Sequence, residues 1–271
     1  MHTASALALP APAKERALTG TKPGSGVALK PAQAGQPKHL AVILDGNGRW
    51  ASSQGLPRLA GHAKGVEAVR ELVTACLDRG IAYVSLYAFS AQNWKRPADE
   101  VRGLMELLKT FLAAEAEELA QQGVKLRQIG SRADLPEEIK EALADAETRT
   151  QNGQHLTLNL AINYGGKEEL VQAAQSLARD VAAGKLDATS ITPELLEARL
   201  GTAGQPPVDL LIRTAGERRL SNFLLWQSAY AELLFMDTLW PDFTSAHLDQ
   251  ALADFGGRRR TYGGLTDAKS P

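Results

Sequence analysis

The chain has 271 residues, of which 44% are hydrophobic, enough for one large domain or two small ones with a full core. A formal net charge of -1 and a pI near 6.5 argue against a nucleic-acid partner, because nucleic-acid-binding proteins usually carry a basic excess. The single cysteine, Cys76, excludes an intrachain disulfide, and the five histidines show no zinc-binding spacing. No apolar run approaches the roughly 20 residues that cross a bilayer, and we expect a cytoplasmic protein.

Residues 1–36 are predicted to form a disordered tail. Ala, Pro, Gly and Lys dominate this segment, and such a composition buries too little apolar area to offset chain entropy. The stretch "ALALPAPA" is short for a signal peptide, and no charged region precedes it. The folded domain is therefore expected to span residues 37–271.

Apolar runs and amphipathic stretches alternate along this domain. Strands are predicted at 39–45, 81–90, 124–130, 155–165 and 208–216. Helices are predicted at 61–80, 100–123, 135–153, 166–184, 192–200 and 247–260, and residues 223–237 carry both helix and strand signals. The strands are apolar on both faces and alternate with helices. This pattern predicts a single α/β domain with a mostly parallel central sheet and helices on both faces.

Polar turns follow four of the predicted strands. They read "DGNGRW" after the first strand, "SAQNWKRP" after the second, "NYGGK" after the fourth and "RTAGERRLSN" after the fifth. Open α/β sheets bind ligands beyond the carboxyl ends of their strands. Gly and Asn are also ordinary turn residues, so one such turn alone would equally be structural. Four of them at one edge of the sheet indicate a binding site.

The first turn, "DGNGRW", combines an acid, a pliable backbone and a cation. Gly46 and Gly48 let backbone N–H groups approach a ligand closely, and Arg49 offers a planar donor suited to phosphate oxygens. The carboxylate of Asp45 beside an anion site is explained if a hard cation lies between them. Because Mg2+ is usually held by one or two carboxylates plus substrate phosphates, the turn predicts a metal–diphosphate site.

Further basic residues lie near the strand ends. Arg58 and His62 flank the start of the predicted helix 61–80. The turn after the fifth strand contains Arg213, Arg218, Arg219 and Ser221. A single arginine is usually a solvated surface charge, but three within one turn indicate a second phosphate-bearing ligand.

The turn after the second strand supplies Ser90, Asn93, Trp94 and Arg96. Trp94 either covers a ligand or folds back onto the core, and the sequence leaves both options open. The apolar face of helix 100–123 is wide for a helix that only lies on a sheet. That face belongs either to the core or to the lining of an apolar tunnel.

Several long segments resemble the cis-prenyltransferase family, in particular the bacterial undecaprenyl diphosphate synthases. They are "HLAVILDGNGRWA", "RLAGHAKG", "SLYAFSAQNWKRPADEV", "LNLAINYGGKEELV", "DLLIRTAGERRLSNFLLWQSAYAELLF" and "LWPDF". The match runs from about residue 39 to residue 264. The resemblance implies an α/β fold with an apolar tunnel. It also implies an Mg2+-dependent enzyme that condenses isopentenyl diphosphate with an allylic diphosphate, here farnesyl diphosphate, to give undecaprenyl diphosphate.

The resemblance also implies roles for individual residues. Asp45 and Glu232 would hold the metal, and Asp45 would also assist departure of the diphosphate. Ser90 and Asn93 match the positions assigned to proton removal. The positions implied for the allylic diphosphate are Gly46, Asn47, Gly48, Arg49, Trp50, Arg58 and His62. The other substrate-binding positions are Ser90, Ala91, Gln92, Trp94 and Arg96 in one loop, and Arg213, Arg219, Leu220 and Ser221 in another.

Some positions depart from the family pattern. Gln92 stands where the family commonly has Glu, and Arg218 stands where some members have a histidine near the metal. Leu156 matches a position near the floor of the tunnel. Members of the family are homodimers, which predicts a homodimer here, with a transient contact with a membrane surface for product release. The segment 221–235 and the tail "GGRRRTYGG" match the dimer interface.

Two alternatives compete with this assignment. A haloacid-dehalogenase-like phosphatase also begins with a strand that ends in Asp, but it needs a second acid two positions later, where this chain has Asn47. A non-catalytic prenyltransferase partner subunit would tend to lose the metal-binding acid or the terminal motif, and this chain retains Asp45 and "YGG". The sequence alone leaves both as alternatives to a prenyl-chain-elongating enzyme.

Overall fold

A computed structural model describes residues 35–259 of the chain. The predicted tail, residues 1–36, lies almost entirely outside the described residues, as does most of the "GGRRRTYGG" segment. The strands are β1 His39–Ile43, β2 Tyr83–Ser90, β3 Val124–Ile129, β4 Leu156–Tyr164, β5 Leu210–Arg213 and β6 Glu232–Phe235. The helices are α1 Asn47–Ser53, α2 Arg58–Asp78, α3 Ala98–Gln121, α4 Glu137–Thr150, α5 Gly166–Ala182, α6 Pro193–Glu197 and α7 Ser245–Gly257.

The predicted alternation of strands and helices is confirmed, with two differences. Helix α1 begins within "DGNGRW", where the sequence predicts a turn. The ambiguous segment 223–237 ends in the short strand β6, after a series of turns. Pro57, Pro97 and Pro136 precede α2, α3 and α4, where a missing N–H costs no helical hydrogen bond.

All six strands lie parallel in one sheet, in the order β3-β4-β2-β1-β5-β6. Strand β1 lies at the centre, with Ile43 opposite Tyr87 of β2 on one side and Arg213 of β5 on the other. Strands β2, β3 and β4 lie on one side of β1, and β5 and β6 lie on the other. The loops at the carboxyl ends therefore diverge at β1, which creates a crevice there. The four predicted polar turns, after β1, β2, β4 and β5, meet at this crevice.

The core lies on both faces of the sheet. Leu40 and Val42 of β1 face the larger cluster, to which α2, α3, α4 and α7 contribute buried apolar residues. Ala41 and Ile43 alternate with them and face a smaller cluster that contains Phe223 and Leu224. The single α/β domain with a parallel sheet is confirmed.

A buried polar network joins three strands inside the sheet. The ring of His39 hydrogen-bonds to Pro206 O at 2.8 Å through Nδ1 and to Ser85 Oγ at 2.8 Å through Nε2. Asn159 Nδ2 donates to the same Ser85 Oγ at 2.9 Å and to Gln205 Oε1 at 2.7 Å. Burial lowers the pKa of His39. A neutral imidazole that donates from Nδ1 and accepts at Nε2 satisfies every member of this network.

Candidate active site

The turn after β1 is built for close backbone packing. Gly46 has φ 105°, in the left-handed region, and a side chain there would meet Leu239 Cδ2 at 2.9 Å. Helix α1 begins at the next residue, Asn47. This helix packs directly on α2, because a Cβ on Gly61 would collide with the carbonyl oxygen of Asn47, and one on Gly65 with its side chain. Glycines in α2 therefore fix the position of the "DGNGRW" turn.

The carboxylate of Asp45 lies at the end of β1 and is paired with Arg213 at the end of β5. Arg213 Nη2 lies 2.8 Å from Asp45 Oδ2, and the Asp45 Oδ1 atom accepts the N–H of Gly46 at 2.7 Å. The hydroxyl of Thr214 donates to the carbonyl oxygen of Asp45 at 2.7 Å. Arg49, one turn into α1, lies 3.7 Å from Asp45 Oδ1. The turns after β1 and β5 are thus joined by charge-assisted hydrogen bonds.

Arg213 also organises the turn that follows its own strand. Its Nη1 donates to Ser221 Oγ at 2.6 Å and to the carbonyl oxygen of Arg219 at 2.5 Å. The guanidinium is almost fully buried, at 4% side-chain exposure. Ser221 and Asn222 are both left-handed, with φ 49° and 65°, a conformation that non-glycine residues adopt only when their surroundings stabilise it.

A second cationic group surrounds the start of α2 and α3. Arg58 Nε lies 3.4 Å from Glu100 Oε2, and Arg96 Nη1 lies 3.1 Å from Glu100 Oε1. Gly48 leaves room for Arg58, since a Cβ there would lie 2.7 Å from the guanidinium carbon. Burial, then the positive charge of Arg96, lowers the pKa of His62 to about 4. The imidazole is therefore neutral at pH 7.

The loop after β2 is held in place by its own side chains. Ser90 N donates to Asn93 Oδ1 at 3.0 Å across a short 3-10 turn, Ala91–Lys95. Trp94 packs edge-on against Phe89, at 5.0 Å between ring centroids, and its Nε1 donates to Asn163 Oδ1 at 2.8 Å. Of the two options left open for Trp94, the structure favours a ring folded back onto the protein.

These turns surround one cavity of about 880 Å³. Predicted site residues on its lining are Asp45, Asn47, His62, Ser90, Gln92, Asn93, Arg96, Arg213 and Ser221. The apolar wall consists mainly of Val66, Val69, Leu86, Leu104, Leu107, Leu108, Phe111 and Leu160. The cavity therefore joins a charged rim at the sheet edge to an apolar interior between the sheet, α2 and α3.

Three residues of this lining carry buried polar atoms that lack a partner. Within residues 35–259, Asn47 Oδ1, His62 Nε2 and Arg213 Nε are buried and make no hydrogen bond. Buried polar groups in proteins are almost always satisfied. Three unpartnered polar atoms at one cavity are typical of a site whose hydrogen bonds are completed by a ligand.

The remaining predicted residues lie around the cavity rather than on its lining. Gly46, Gly48, Arg49, Trp50, Arg58, Ala91, Trp94, Arg219 and Leu220 are in this group. Trp50 Nε1 donates to Asp242 Oδ1 at 2.8 Å, and Arg49 and Arg219 both pair with Glu217. These contacts place the arginines beside the rim.

Glu232 does not approach Asp45 within one chain. It begins β6 and lies opposite Leu210, at the amino end of β5, whereas Asp45 lies beyond the carboxyl end of β1. Its carboxylate pairs with Arg258 at 2.9 Å. Parallel strands separate these two ends of the sheet. The predicted pairing of both acids on one ion is therefore not formed by a single chain.

Leu156 is buried in the larger cluster near the start of β4, whereas Leu160 of the same strand lines the cavity. A place for Leu156 near the floor of a tunnel stays a prediction.

Four further polar residues line the cavity and are not among the predicted site residues, although two of them lie within the predicted polar turns. The four are Tyr87, Lys167, Glu168 and Asn222. Tyr87 lies within β2, where its ring stacks on Phe223 at 4.5 Å and its hydroxyl donates to Ser221 O at 3.2 Å. The motif "NYGGK" pointed to the start of α5 without identifying the side chains that reach the cavity.

Comparison with known proteins decides the family. A family model that describes undecaprenyl diphosphate synthases, Prenyltransf, matches residues 43–263. The chain belongs to this prenyltransferase family. It is 53% identical over 229 residues to an isoprenyl transferase of Brucella abortus, covering 84% of this chain and 90% of the relative. It is 50% identical over 227 residues to the farnesyl-diphosphate-specific ditrans,polycis-undecaprenyl-diphosphate synthase of Pseudomonas aeruginosa, covering 84% and 90%.

Solved prenyltransferase structures share the fold. Lavandulyl diphosphate synthase from Lavandula x intermedia, in complex with dimethylallyl diphosphate, superposes with a TM-score of 0.83 at 38% identity. The match covers 84% of this chain and 99% of that one. In the part of this prenyltransferase that the structure describes, every helix is too short or too polar to cross a membrane.

Proposed function

We propose that this prenyltransferase condenses isopentenyl diphosphate with an allylic diphosphate and repeats the reaction to build a long polyprenyl diphosphate with cis double bonds. The observation that carries the proposal is the cavity at the sheet edge. Its rim holds Asp45, His62 and Arg213, two of them with unpartnered polar atoms, and its interior is lined by leucines and Phe111. A charged rim suits diphosphates, and an apolar interior suits an isoprenoid chain.

The two cationic groups fit two diphosphates. Arg58 and Arg96 are the cations of one group, and the neutral imidazole of His62 lies beside them. We assign the allylic diphosphate to these three residues and to the turn Gly46–Arg49. Arg213, Arg219 and Ser221 lie on the other side, and we assign isopentenyl diphosphate to them. Arginine suits these roles because its planar fork binds phosphate oxygens in pairs.

The residues at the rim fit Mg2+ as the divalent ion. Asp45 offers one carboxylate beside two arginines, and no cluster of three or more potential protein ligands occurs within residues 35–259. Mg2+ is commonly held in this way, by one or two carboxylates plus the oxygens of substrate phosphates. Bound there, Mg2+ would neutralise the charge that develops on the departing diphosphate. Arg213 would then exchange part of its contact with Asp45 for a contact with substrate.

Bond formation requires a proton to leave the condensing isoprenoid. The allylic C–O bond breaks, a new C–C bond forms, and one proton is lost. Ser90 and Asn93 line the cavity, and the bond from Ser90 N fixes the amide of Asn93. An amide is a weak base, so we assign Ser90 and Asn93 the role of orienting the proton toward the departing diphosphate, which accepts it.

The apolar interior bears on product length. We propose that the growing chain extends between the sheet and α3, past Leu108 and Phe111. The Pseudomonas aeruginosa relative is named for farnesyl diphosphate and an undecaprenyl product. We propose the same primer and product for this chain.

A second candidate is a single condensation of two short isoprenoid diphosphates. The likeness to lavandulyl diphosphate synthase, with its TM-score of 0.83, favours it. A single condensation would leave most of the apolar wall unused, whereas repeated condensation would fill it. The distribution of product lengths separates these candidates.

We also propose a cytoplasmic homodimer that touches a membrane surface only to release product. The segment 221–235 supplies the proposed interface. Leu233 of the edge strand β6 and Tyr230 before it are exposed, and Gln227 Oε1 and Ser228 Oγ are buried without a partner within the described chain. A partner subunit seated on this edge would cover the apolar side chains and protect the edge of the sheet.

The decisive experiment incubates the purified full chain with farnesyl diphosphate, labelled isopentenyl diphosphate and Mg2+, and sizes the products by mass spectrometry. Repeated condensation gives products that differ by one isoprene unit and accumulate at the longest length. A single short product would favour the second candidate. Asp45→Asn is the matched inactive control. An absence of any prenyl product from the wild-type chain would refute the enzyme assignment.

A further inference from the structure

Glu168 lies where three loops of the cavity meet. It is the third residue of α5, and its carboxylate lines the cavity opposite the loop after β2. Glu168 Oε2 accepts Asn222 Nδ2 at 2.8 Å, and Glu168 Oε1 accepts Gln92 Nε2 at 3.4 Å. The two oxygens of one side chain thus reach loops that are far apart in sequence. The contact has room because Gly165 has no side chain: a Cβ there would lie 2.7 Å from Asn222 Nδ2.

Asn222 is held by the start of α5 at three points. In addition to the bond to Glu168, its Oδ1 accepts Lys167 N at 2.9 Å and its carbonyl oxygen accepts Gly166 N at 2.7 Å. These bonds compensate for the left-handed backbone of Ser221 and Asn222. Asparagine tolerates that conformation better than serine does. Because Ser221 directly precedes Asn222, the contacts of Asn222 also constrain the position of Ser221.

The Ser221 hydroxyl is the one that accepts a hydrogen bond from Arg213. A shift of Asn222 would therefore move a group at the rim of the cavity, on the side assigned to isopentenyl diphosphate. Gln92 belongs to the same 3-10 turn as Asn93. Movement of Gln92 would likewise disturb the loop that carries Ser90 and Asn93.

We infer that Glu168 is a positioning residue of the prenyl-transfer site, which couples the loop of Ser90 and Asn93 to the loop of Ser221 and Asn222. The inference rests on the proposed function. Glu168 and Gln92 are both exposed, so their contact contributes little to the stability of the fold. An amide at residue 92 matches a carboxylate at residue 168, because a second carboxylate would repel it and offer no donor.

The first test replaces Glu168 with Ala. Loss of two hydrogen bonds to a charged acceptor is expected to raise the KM for isopentenyl diphosphate about tenfold, with a smaller change in the KM for farnesyl diphosphate. Glu141→Gln, an exposed glutamate of α4 outside the cavity lining, is the matched control and should behave as wild type. A Glu168→Ala enzyme within twofold of wild type for both substrates would overturn the inference.

The second test is a charge exchange. Gln92→Glu places two carboxylates together and should be clearly impaired. Glu168→Gln should be impaired less, because its amide oxygen can still accept a hydrogen bond from one of the two neighbouring amides. The double variant Gln92→Glu/Glu168→Gln restores one donor and one acceptor, and the amide oxygen introduced at position 168 can still accept Asn222 Nδ2. Recovery of most of kcat/KM in the double variant supports the coupling. A double variant whose loss equals the product of the two single losses would contradict it.

The third test does not depend on turnover. Hydrogen exchange of the Gly166 and Lys167 amides, which donate to Asn222, should accelerate about tenfold in Glu168→Ala and remain unchanged in Glu141→Gln. If the wild-type enzyme makes no prenyl product, the proposed function fails. Hydrogen exchange still reports on the bridge, the pair of contacts that Glu168 makes with Gln92 and Asn222. If exchange at these amides is unchanged in Glu168→Ala, the bridge itself is refuted, whatever the turnover.

Discussion

Asp45 and Arg213, 168 residues apart in sequence, form an ion pair at 2.8 Å across the ends of β1 and β5. The arginine is almost fully buried, while the carboxylate is about one-third exposed. A buried charge that loses its partner is strongly destabilising, so this pair stabilises the sheet edge in addition to its proposed role in the chemistry.

Substitution of Asp45 separates these two roles. Asp45→Ala and Asp45→Asn should both lower kcat/KM by at least about a thousandfold, because the proposed metal ligand is lost. Asp45→Ala should also destabilise the fold by about 1–3 kcal/mol, since Arg213 loses its partner. Asp45→Asn retains an acceptor for Arg213 and should unfold nearer to wild type in urea. Near-wild-type turnover in either variant would refute the metal assignment.

His62 predicts how stability depends on pH. The pKa of its imidazole is lowered to about 4 in the folded chain, from an ordinary value of 6.5. The unfolded chain therefore binds more protons below pH 6.5, and stability falls as pH drops from 6.5 toward 4. This one group lowers the free energy of unfolding by about 2 kcal/mol between pH 7.5 and pH 5.

Urea unfolding of His62→Gln at both pH values checks this expectation. In this variant, the difference in unfolding free energy between pH 7.5 and pH 5 should be smaller by about 2 kcal/mol. His39, whose pKa is also lowered, leaves a residual dependence of the same sign in the variant. An unchanged pH dependence would show that His62 is not kept neutral by its surroundings.

Trp94 tests the choice between a ligand cover and a core residue. Trp94→Phe keeps the contact with Phe89 but loses the hydrogen bond to Asn163. The expected loss of unfolding free energy is about 1 kcal/mol, with both KM values within about threefold of wild type. A large rise in the KM for either substrate, without loss of stability, would instead place the ring over the ligand.

Leu108 tests the use of the apolar interior. Leu108→Trp adds bulk to the cavity wall on α3 and should shift the product distribution toward shorter chains. Thr110→Trp, on the exposed face of the same helix, is the matched control and should leave product length unchanged. An unaltered product distribution in Leu108→Trp would place the growing chain elsewhere.

Much of the site could be predicted because it follows from strand ends. In a parallel sheet, the residues after β1, β2 and β5 must meet at one edge, so Asp45, Asn93 and Arg213 could be grouped without coordinates. Helix α1 could not be predicted in this way. Its seven residues have little helical periodicity, and its position depends on the absence of side chains at Gly61 and Gly65 of α2.

Other residues required knowledge of register and distant contacts. Leu156 and Leu160 have the same orientation in β4, and only the position of the cavity along the strand distinguishes them. Glu168 reads as an ordinary acid in the first turn of a helix, where it is favourable in any case. Its contacts with Gln92 and Asn222 arise from tertiary packing, for which the sequence contains no local signal.

The close packing of α1 on α2 has a consequence for affinity. With backbone lying against backbone at Gly61, the segment that follows β1 has little freedom left to lose when an anion arrives. Ordering costs that weaken many loop-based receptors are met here during folding. If this segment binds the proposed diphosphate, a larger share of the binding energy is left for affinity and for the reaction.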